Sequence, residues 1–281
     1  MSKIKKAIFP VAGFGTRFLP ATKSIPKEMM PIVDTPLIEY AVREAIKAGV
    51  TEIIFITSPF KKAIEAHFSS NTALQELLIN SGKSDVILKV FPKEFENITF
   101  KYVMQHSQNG LGHAVLQVKD CIKDDEFFLV LLADDLILSS PNVCEQLVSA
   151  HSVTGGCVLA LNKVSHEETK KYGVISYKED TDIGNQYLPL KSIVEKPQSN
   201  PPSDIAITGR YLLHGSIFNY LENIKPGALG ELQLTDAINL SMQNENFFGI
   251  EYEGLKFDCG SKEGFIRANL HIAKEQKIFY E

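Results

Sequence analysis

Cysteine is scarce and unpatterned. Only Cys121, Cys144, Cys157 and Cys259 occur in 281 residues, and no pair has CxxC spacing. Neither a zinc knuckle nor a thioredoxin-like redox pair is therefore indicated. Each thiol lies in or beside apolar sequence, as expected of buried free cysteines in a reducing cytoplasm. Long apolar runs are also missing. Beyond the N-terminal region the longest, Phe127 to Ala133, stops at Asp134 and Asp135, far short of the roughly 20 residues that a membrane helix needs. The opening MSKIKKAIFPVAGFG joins basic residues to a short apolar stretch. Pro10 and Gly13 break it before any cleavage pattern, so it reads as a first strand and not as a secretory leader. Nor is positive charge in excess. Lys and Arg number 29 against 34 Asp and Glu, a net charge of −5, which excludes a strongly basic nucleic-acid footprint. An anionic ligand must be met by a local cluster of cations.

What is present suits a folded enzyme-sized domain. Hydrophobic residues make up 44% and charged residues 22%, enough to bury a full core. Lys5 to Ala12 reads as a buried strand, followed by a Gly-, Pro- and Lys-rich loop from Gly13 to Pro31. Pro36 to Ala48 has the apolar stripe of an amphipathic helix, with Pro36 in its first turn and Gly49 at its end. Glu52 to Thr57 is a second strand, and Ser58-Pro59 has the pattern of an N-cap and first turn opening another helix. Phe100 to Gln105 and Phe127 to Ala133 continue the strands, the latter uniformly apolar as expected when both faces are covered. Gly112 to Val118 is a short helix between them. After Asp135 the strands shorten: Cys157–Leu161, Tyr172–Tyr177, Ser192–Glu195 and Ile205–Leu213. Asn200-Pro201-Pro202 reads as an exposed loop, and Leu232 to Asn244 and Ser261 to Lys274 read as helices. This order predicts a three-layer α/β fold with a mixed, mostly parallel central sheet. No repeat and no long linker divides the chain.

The segment Gly13-Phe14-Gly15-Thr16-Arg17 through Pro26-Lys27-Glu28 to Pro31 carries the chemistry. It follows the first strand, where open α/β sheets bind ligands. Two glycines let backbone approach a ligand closely, and backbone N–H groups can cradle phosphate. Arg17, Lys23 and Lys27 gather three cations in an acidic protein, a cluster suited to a polyphosphate. A dinucleotide fingerprint fails, since Phe18 stands where a third Gly is needed and Pro20 interrupts the helix; no P-loop string exists.

The string G-x-G-T-R-x-x-P-x-T-K-x-x-P-K-E-x-x-P resembles the sugar-nucleotide pyrophosphorylases. The resemblance recurs in order along the chain: Gln108-Asn109-Gly110-Leu111-Gly112-His113-Ala114, Leu132-Ala133-Asp134-Asp135, Val194-Glu195-Lys196-Pro197, Gly209-Arg210-Tyr211, Gly230 to Ala237 and Phe257-Asp258-Cys259-Gly260. In detail it is similar to the branch acting on UTP and glucose-1-phosphate. It implies a Rossmann-like α/β/α nucleotidyltransferase fold over residues 1–281 as one domain, with a nucleotide half of about 1–135 and a sugar-binding and oligomerisation half of about 136–281. The implied reaction is attack by glucose-1-phosphate on the α-phosphorus of UTP, assisted by Mg²⁺. A phosphate monoester is largely ionised at pH 7. No general base is then needed, and catalysis reduces to holding two anions in line and neutralising charge.

By the resemblance, Arg17 and Lys27 meet the phosphates. Ala12, Gly13, Gly15 and Thr16 offer backbone to the nucleotide, and Glu28 accepts from the ribose. Gln105 and Gly110 read the base. Asp134 and Asp258 hold Mg²⁺, a hard cation suited to one or two carboxylates plus phosphate oxygens. Gly173, Glu195 and Lys196 bind the sugar phosphate, Glu195 and Lys196 diverging from adjacent strand positions. His113 reads as structural and Asp135 as supporting. Arg210 and Glu231 receive no chemistry. The implied partners are UTP and glucose-1-phosphate, with no nucleic acid and no membrane, in a cytoplasmic homodimer or homotetramer. A sister enzyme for dTTP, CTP or ATP, a catalytically silent sugar-nucleotide sensor, and an NAD-dependent dehydrogenase remain as alternatives at this point.

Overall fold

Lys6–Pro10 forms strand β1, with Ala7, Ile8 and Phe9 wholly buried; this is a computed structural model that describes residues 3–178, 186–227 and 230–278. No helix follows β1 directly. Single 3-10 turns at Thr16–Phe18, Ala21–Lys23 and Lys27–Met29 carry the chain instead, because Pro20 and Pro26 withhold the backbone N–H a longer helix needs. A ribbon of Pro31–Ile32 (β2) and Thr35–Pro36 (β3) leads into helix Leu37–Lys47 (α1). Leu37, Ile38, Ala41, Val42 and Ala45 face inward on it, and Gly49 takes a φ of 97° beyond its end.

The chain continues through β4 (Glu52–Thr57), α2 (Lys62–His67), α3 (Thr72–Asn80), α4 (Ile87–Val90), β5 (Thr99–Met104), α5 (Leu111–Leu116), β6 (Phe127–Leu131), β7 (Asp135–Leu138) and α6 (Val143–Thr154). Then come β8 (Cys157–Lys163), β9 (Gly173–Tyr177), β10 (Leu188–Glu195), β11 (Ile205–His214), α7 (Ile217–Leu221), α8 (Leu234–Ser241), β12 (Phe247–Glu251), β13 (Leu255–Asp258) and α9 (Lys262–Glu275).

Among the described residues the main sheet runs β5-β4-β1-β6-β11-β8-β12-β10-β9. Followed outward from β1 by the sign of each pairing, only β10 and β11 run against the other strands. The mixed, mostly parallel sheet is as expected. An added pairing of β9 with β11 closes β11-β8-β12-β10-β9 into a ring. Alternation along the strands covers both faces. Ile8, Ile54, Phe128 and Val130 join Ala114, Val115, Phe218 and Ile238 in one core. Ala7, Phe9, Ile53, Phe55, Leu129 and Leu131 join Ile38, Val42, Leu147 and Ala150 in the other. A third, smaller cluster of Ile32, Leu37, Leu136, Cys259, Ala268 and Ile272 seats α9 on the body.

Two element expectations need correction. Ser58-Pro59 does not open a helix. Lys61 donates its N–H to the Ser58 carbonyl at 3.0 Å in a turn, and α2 starts only at Lys62. The helix expected over Leu232 to Asn244 is confined to Leu234–Ser241, because Leu232 is engaged by a loop from the other half of the chain. α6 was not anticipated; its Asn142 and Glu145 form a reciprocal capping box.

Candidate active site

The loop after β1 is shaped by Gly15, whose φ of 65° is left-handed. Its carbonyl accepts the Thr22 hydroxyl at 2.8 Å, and a Cβ at Gly15 would press on Lys27 Cβ at 3.2 Å. The conformation thus brings Lys27 under the glycine turn. Gly13 has open space beside it and is exposed, and Thr16 and Arg17 are exposed too. Ala12 is buried, and its carbonyl accepts the Gln108 amide at 3.3 Å.

Lys27 Nζ donates to Asp134 Oδ2 at 2.5 Å, both side chains remaining partly exposed. Burial pulls the Lys27 ammonium down, but the Asp134 and Glu28 carboxylates outweigh it and hold it above its ordinary value. Burial likewise pushes the Asp134 carboxyl up, and the neighbouring Lys27 ammonium more than reverses it. Arg17 Nη1 donates to the Gly260 carbonyl at 3.3 Å. Gly260 is the meeting point. A Cβ there would lie 3.0 Å from Asp134 Oδ2 and 3.0 Å from Asp258 Oδ1, so these oxygens are no more than about 6 Å apart. Burial, then Asp135 and Asp134, raise the Asp258 carboxyl above its usual range. Asp258 also serves its own turn, accepting the Gly260 N–H at 3.0 Å.

Among the described residues no group of three or more His, Cys, Asp and Glu side chains could hold a metal by itself. Two hard carboxylate oxygens this near each other do fit a hard cation such as Mg²⁺, which Asp134 and Asp258 would hold together with water and phosphate oxygens. Asp135 does not join them. Its Oδ1 meets Lys256 Nζ at 3.0 Å and its Oδ2 accepts the Gly209 N–H at 3.0 Å.

Gln105 is buried, with its amide 2.8 Å from His113 Nδ1. His113 thus holds the Gln105 amide in place. Gly110 takes a φ of 102°, and a Cβ there would lie 2.5 Å from the Leu232 carbonyl, so backbone and space both call for glycine. That approach closes a cross-chain pair: Gly112 N–H to Leu232 O and Leu232 N–H to Asn109 O, each 2.8 Å.

Glu28 is 2% exposed, with both oxygens on Lys61 Nζ at 2.9 and 2.7 Å. One side-chain expectation is corrected: Glu195 and Lys196 do not diverge. Lys196 has a φ of 45°, which breaks strand alternation and folds its Nζ back to Glu195 Oε1 at 3.2 Å. Glu195 Oε2 also accepts the Thr235 hydroxyl at 3.1 Å, and Gly173 stands opposite Glu195 in the β9–β10 register. Gly173, Glu195 and Lys196 are thereby brought together. Lys61, Thr235 and Lys256 escaped notice as contributors. Of these only Thr235 lies in a motif, while Lys61 and Lys256 are isolated cations whose partners are distant in sequence. Lys256 Nζ lies over the Tyr172 ring at 4.9 Å, linking the Gly173 region to Asp135.

The chain matches the nucleotidyl transferase family over residues 6–275. It is 45% identical over 277 residues to the UTP–glucose-1-phosphate uridylyltransferase of Staphylococcus epidermidis, covering 97% of this chain and 93% of that protein. The Bacillus subtilis enzyme of the same name is 42% identical over 279 residues, covering 99% and 94%. A solved UDP-glucose pyrophosphorylase complexed with UDP-glucose superposes with a TM-score of 0.86 at 39% identity, covering 97% of this chain and 99% of that one. The chain belongs to the nucleotidyl transferase family, in the branch of the UTP–glucose-1-phosphate uridylyltransferases.

Proposed function

We propose that this enzyme makes UDP-glucose and pyrophosphate from UTP and glucose-1-phosphate, with Mg²⁺ held by Asp134 and Asp258. The observation that carries the reading is the convergence of Lys27, Arg17, Asp134 and Asp258 on the space beside Gly260. Two cations and two carboxylates at one point suit a reaction that moves phosphate charge without a proton acceptor. The Gly13–Arg17 backbone receives the triphosphate, and Arg17 neutralises the departing pyrophosphate. Lys27 stands where it can leave Asp134 for a phosphate oxygen. Gln105, Gly110 and the backbone of Ala12 and Gly13 take the uridine. Glu195 accepts from glucose hydroxyls, Gly173 offers its backbone, and Lys196 meets the sugar phosphate. When bound, Mg²⁺ would neutralise phosphate oxygens and help fix their orientation. Glu28, held by Lys61, keeps acceptor sites for a ribose hydroxyl.

The fold acts as one catalytic unit, with the nucleotide taken by the half ending near residue 135 and the sugar by the rest. It works as a homodimer or homotetramer. Ile266 and Leu270, exposed one turn apart on α9, supply part of the contact. A cytoplasmic location belongs to the same reading; among the described residues no helix is long and apolar enough to cross a membrane. The test is pyrophosphate release from purified protein with glucose-1-phosphate, Mg²⁺ and each of UTP, dTTP, ATP, CTP and GTP. Release with UTP alone is expected. Preference for another nucleotide would overturn the base assignment at Gln105. No release with any nucleotide or sugar phosphate would overturn the enzyme reading in favour of a sensor.

A further inference from the structure

Arg210 is a buried cation that the reaction described above does not use. Its side chain is 1% exposed, and Glu44 beside it is 5% exposed. Arg210 Nε lies 3.1 Å from both Glu44 oxygens, and Nη2 lies 2.9 Å from Oε2. The remaining donors go elsewhere. Nη1 donates to the Leu132 carbonyl at 2.9 Å and to the Gly209 carbonyl at 3.0 Å, and Nη2 to the Asp135 carbonyl at 2.9 Å. Leu132 and Asp135 flank the dipeptide Ala133-Asp134. The backbone beside Arg210 holds the same segment: Leu132 donates its N–H to the Gly209 carbonyl at 2.9 Å, and Gly209 donates its own to Asp135 Oδ2 at 3.0 Å. Glu44 is fixed from behind, where Oε1 accepts the Cys144 N–H at 3.1 Å.

A buried ion pair is a poor way to gain stability, because desolvation of both charges offsets their attraction. A planar fork that reaches a carboxylate and the carbonyls of Leu132, Asp135 and Gly209 does something an aliphatic side chain cannot. It fixes the backbone on both sides of the Ala133-Asp134 dipeptide. We infer that Arg210, anchored by Glu44, is a positioning residue that sets the carboxylate of Asp134 for metal and for Lys27. The inference deepens the proposed function and rests on Asp134 being a metal ligand. Lys at position 210 would keep the charge against Glu44 and lose the fork. Its ammonium cannot span the Leu132 and Asp135 carbonyls together with both Glu44 oxygens.

The test compares Arg210→Lys, Gly209→Ala and a core control, Val158→Ala, with wild type. Gly209→Ala attacks the clasp without unpairing a buried charge, since its Cβ would lie 2.6 Å from Leu132 Cβ and 2.7 Å from Asp135 Oδ2. Val158 is wholly buried in the core shared by β8, α1 and α6. Two quantities are read: hydrogen–deuterium exchange of peptides spanning 129–136 in metal-free protein, and the Mg²⁺ concentration giving half-maximal turnover. Arg210→Lys and Gly209→Ala should each speed exchange there about 10-fold or more and raise the half-saturating Mg²⁺ about 10- to 100-fold, the usual effect of losing a ligand's supporting contact. Val158→Ala should lower the melting temperature and leave the Mg²⁺ dependence unchanged. Unchanged exchange and Mg²⁺ dependence in both clasp variants would overturn the inference, as would a shift in the Mg²⁺ dependence of the core control equal to theirs. Asp134→Asn run alongside tests the underlying reading separately. If its Mg²⁺ dependence matches wild type, Asp134 is not a ligand, whatever the exchange data say about the clasp.

Discussion

Lys27 and Asp134 hold each other at 2.5 Å across 107 residues of sequence. Replacing Asp134 by Asn keeps the shape and removes the charge. Turnover should fall about 10²- to 10³-fold, as when a single preorganised electrostatic group is lost. The melting temperature should change little, because the side chain is partly exposed. Steady-state pyrophosphate release beside a thermal melt checks both. Gly110 makes the opposite case, a residue whose importance is purely steric. Gly110→Ala would force a Cβ to within 2.5 Å of the Leu232 carbonyl at a φ of 102°. Left-handed strain on a non-glycine residue alone costs of order 1–3 kcal/mol. The urea midpoint should drop accordingly, and the KM for UTP should rise, since the glycine bounds the base-side loop. A wild-type midpoint would show that the loops separate without cost.

At the level of elements, α1 and α2 are tied by Glu39. It meets the Arg43 guanidinium on its own helix and His67 Nε2 of α2 at 2.7 Å. Burial pushes the Glu39 carboxyl up, but His67 and Arg43 together outweigh it and hold it below 4.5. A carboxyl with a depressed folded value stabilises fully above its unfolded value and loses that contribution as pH falls through the folded one. Urea unfolding of wild type and Glu39→Gln should therefore differ most at neutral pH and converge only once pH has fallen through the depressed folded value. A constant gap would remove Glu39 from the pH dependence. Elements differ in how plainly the sequence announces them. Phe127–Leu131 and Glu52–Thr57 are legible because a strand covered on both faces is apolar throughout. α1 is legible from its stripe and flanking Pro and Gly. α6 escapes because its apolar positions form no sharp stripe, although its capping box stands in the sequence. Within the site, motif residues were legible by kind and less so by posture. Glu28 reads as a ligand acceptor, but its pairing with Lys61, 33 residues on, is not announced. Lys196 reads as a regular strand position until a left-handed backbone turns it onto Glu195. Both outcomes depend on long-range contacts or backbone states that residue type alone does not reveal.

Over the whole molecule the four thiols are free, and Cys144, Cys157 and Cys259 are buried while Cys121 is partly exposed. Burial, reinforced by nearby carboxylates, pushes the Cys259 thiol up to about 12 and the Cys144 and Cys157 thiols well above their usual range. Reactivity follows thiolate and access. A disulfide reagent at pH 8 should titrate one thiol quickly in the native protein and four after denaturation. More than one fast thiol in the native protein would contradict the packing around α9 and β8. The cross-chain contact of Asn109 and Gly112 with Leu232 also has a meaning in time. A ribosome releases the nucleotide half first, and early segments tend to fold as they emerge. Yet the wall behind Gly110 and Gly112 is the backbone of Leu232 and Gln233, and β6 meets its outer neighbour only when β11 arrives. A nascent chain stalled before residue 205 would carry the whole glycine-rich loop and still lack a finished cleft for UTP. The cleft is completed only within the closing stretch of the chain's own synthesis.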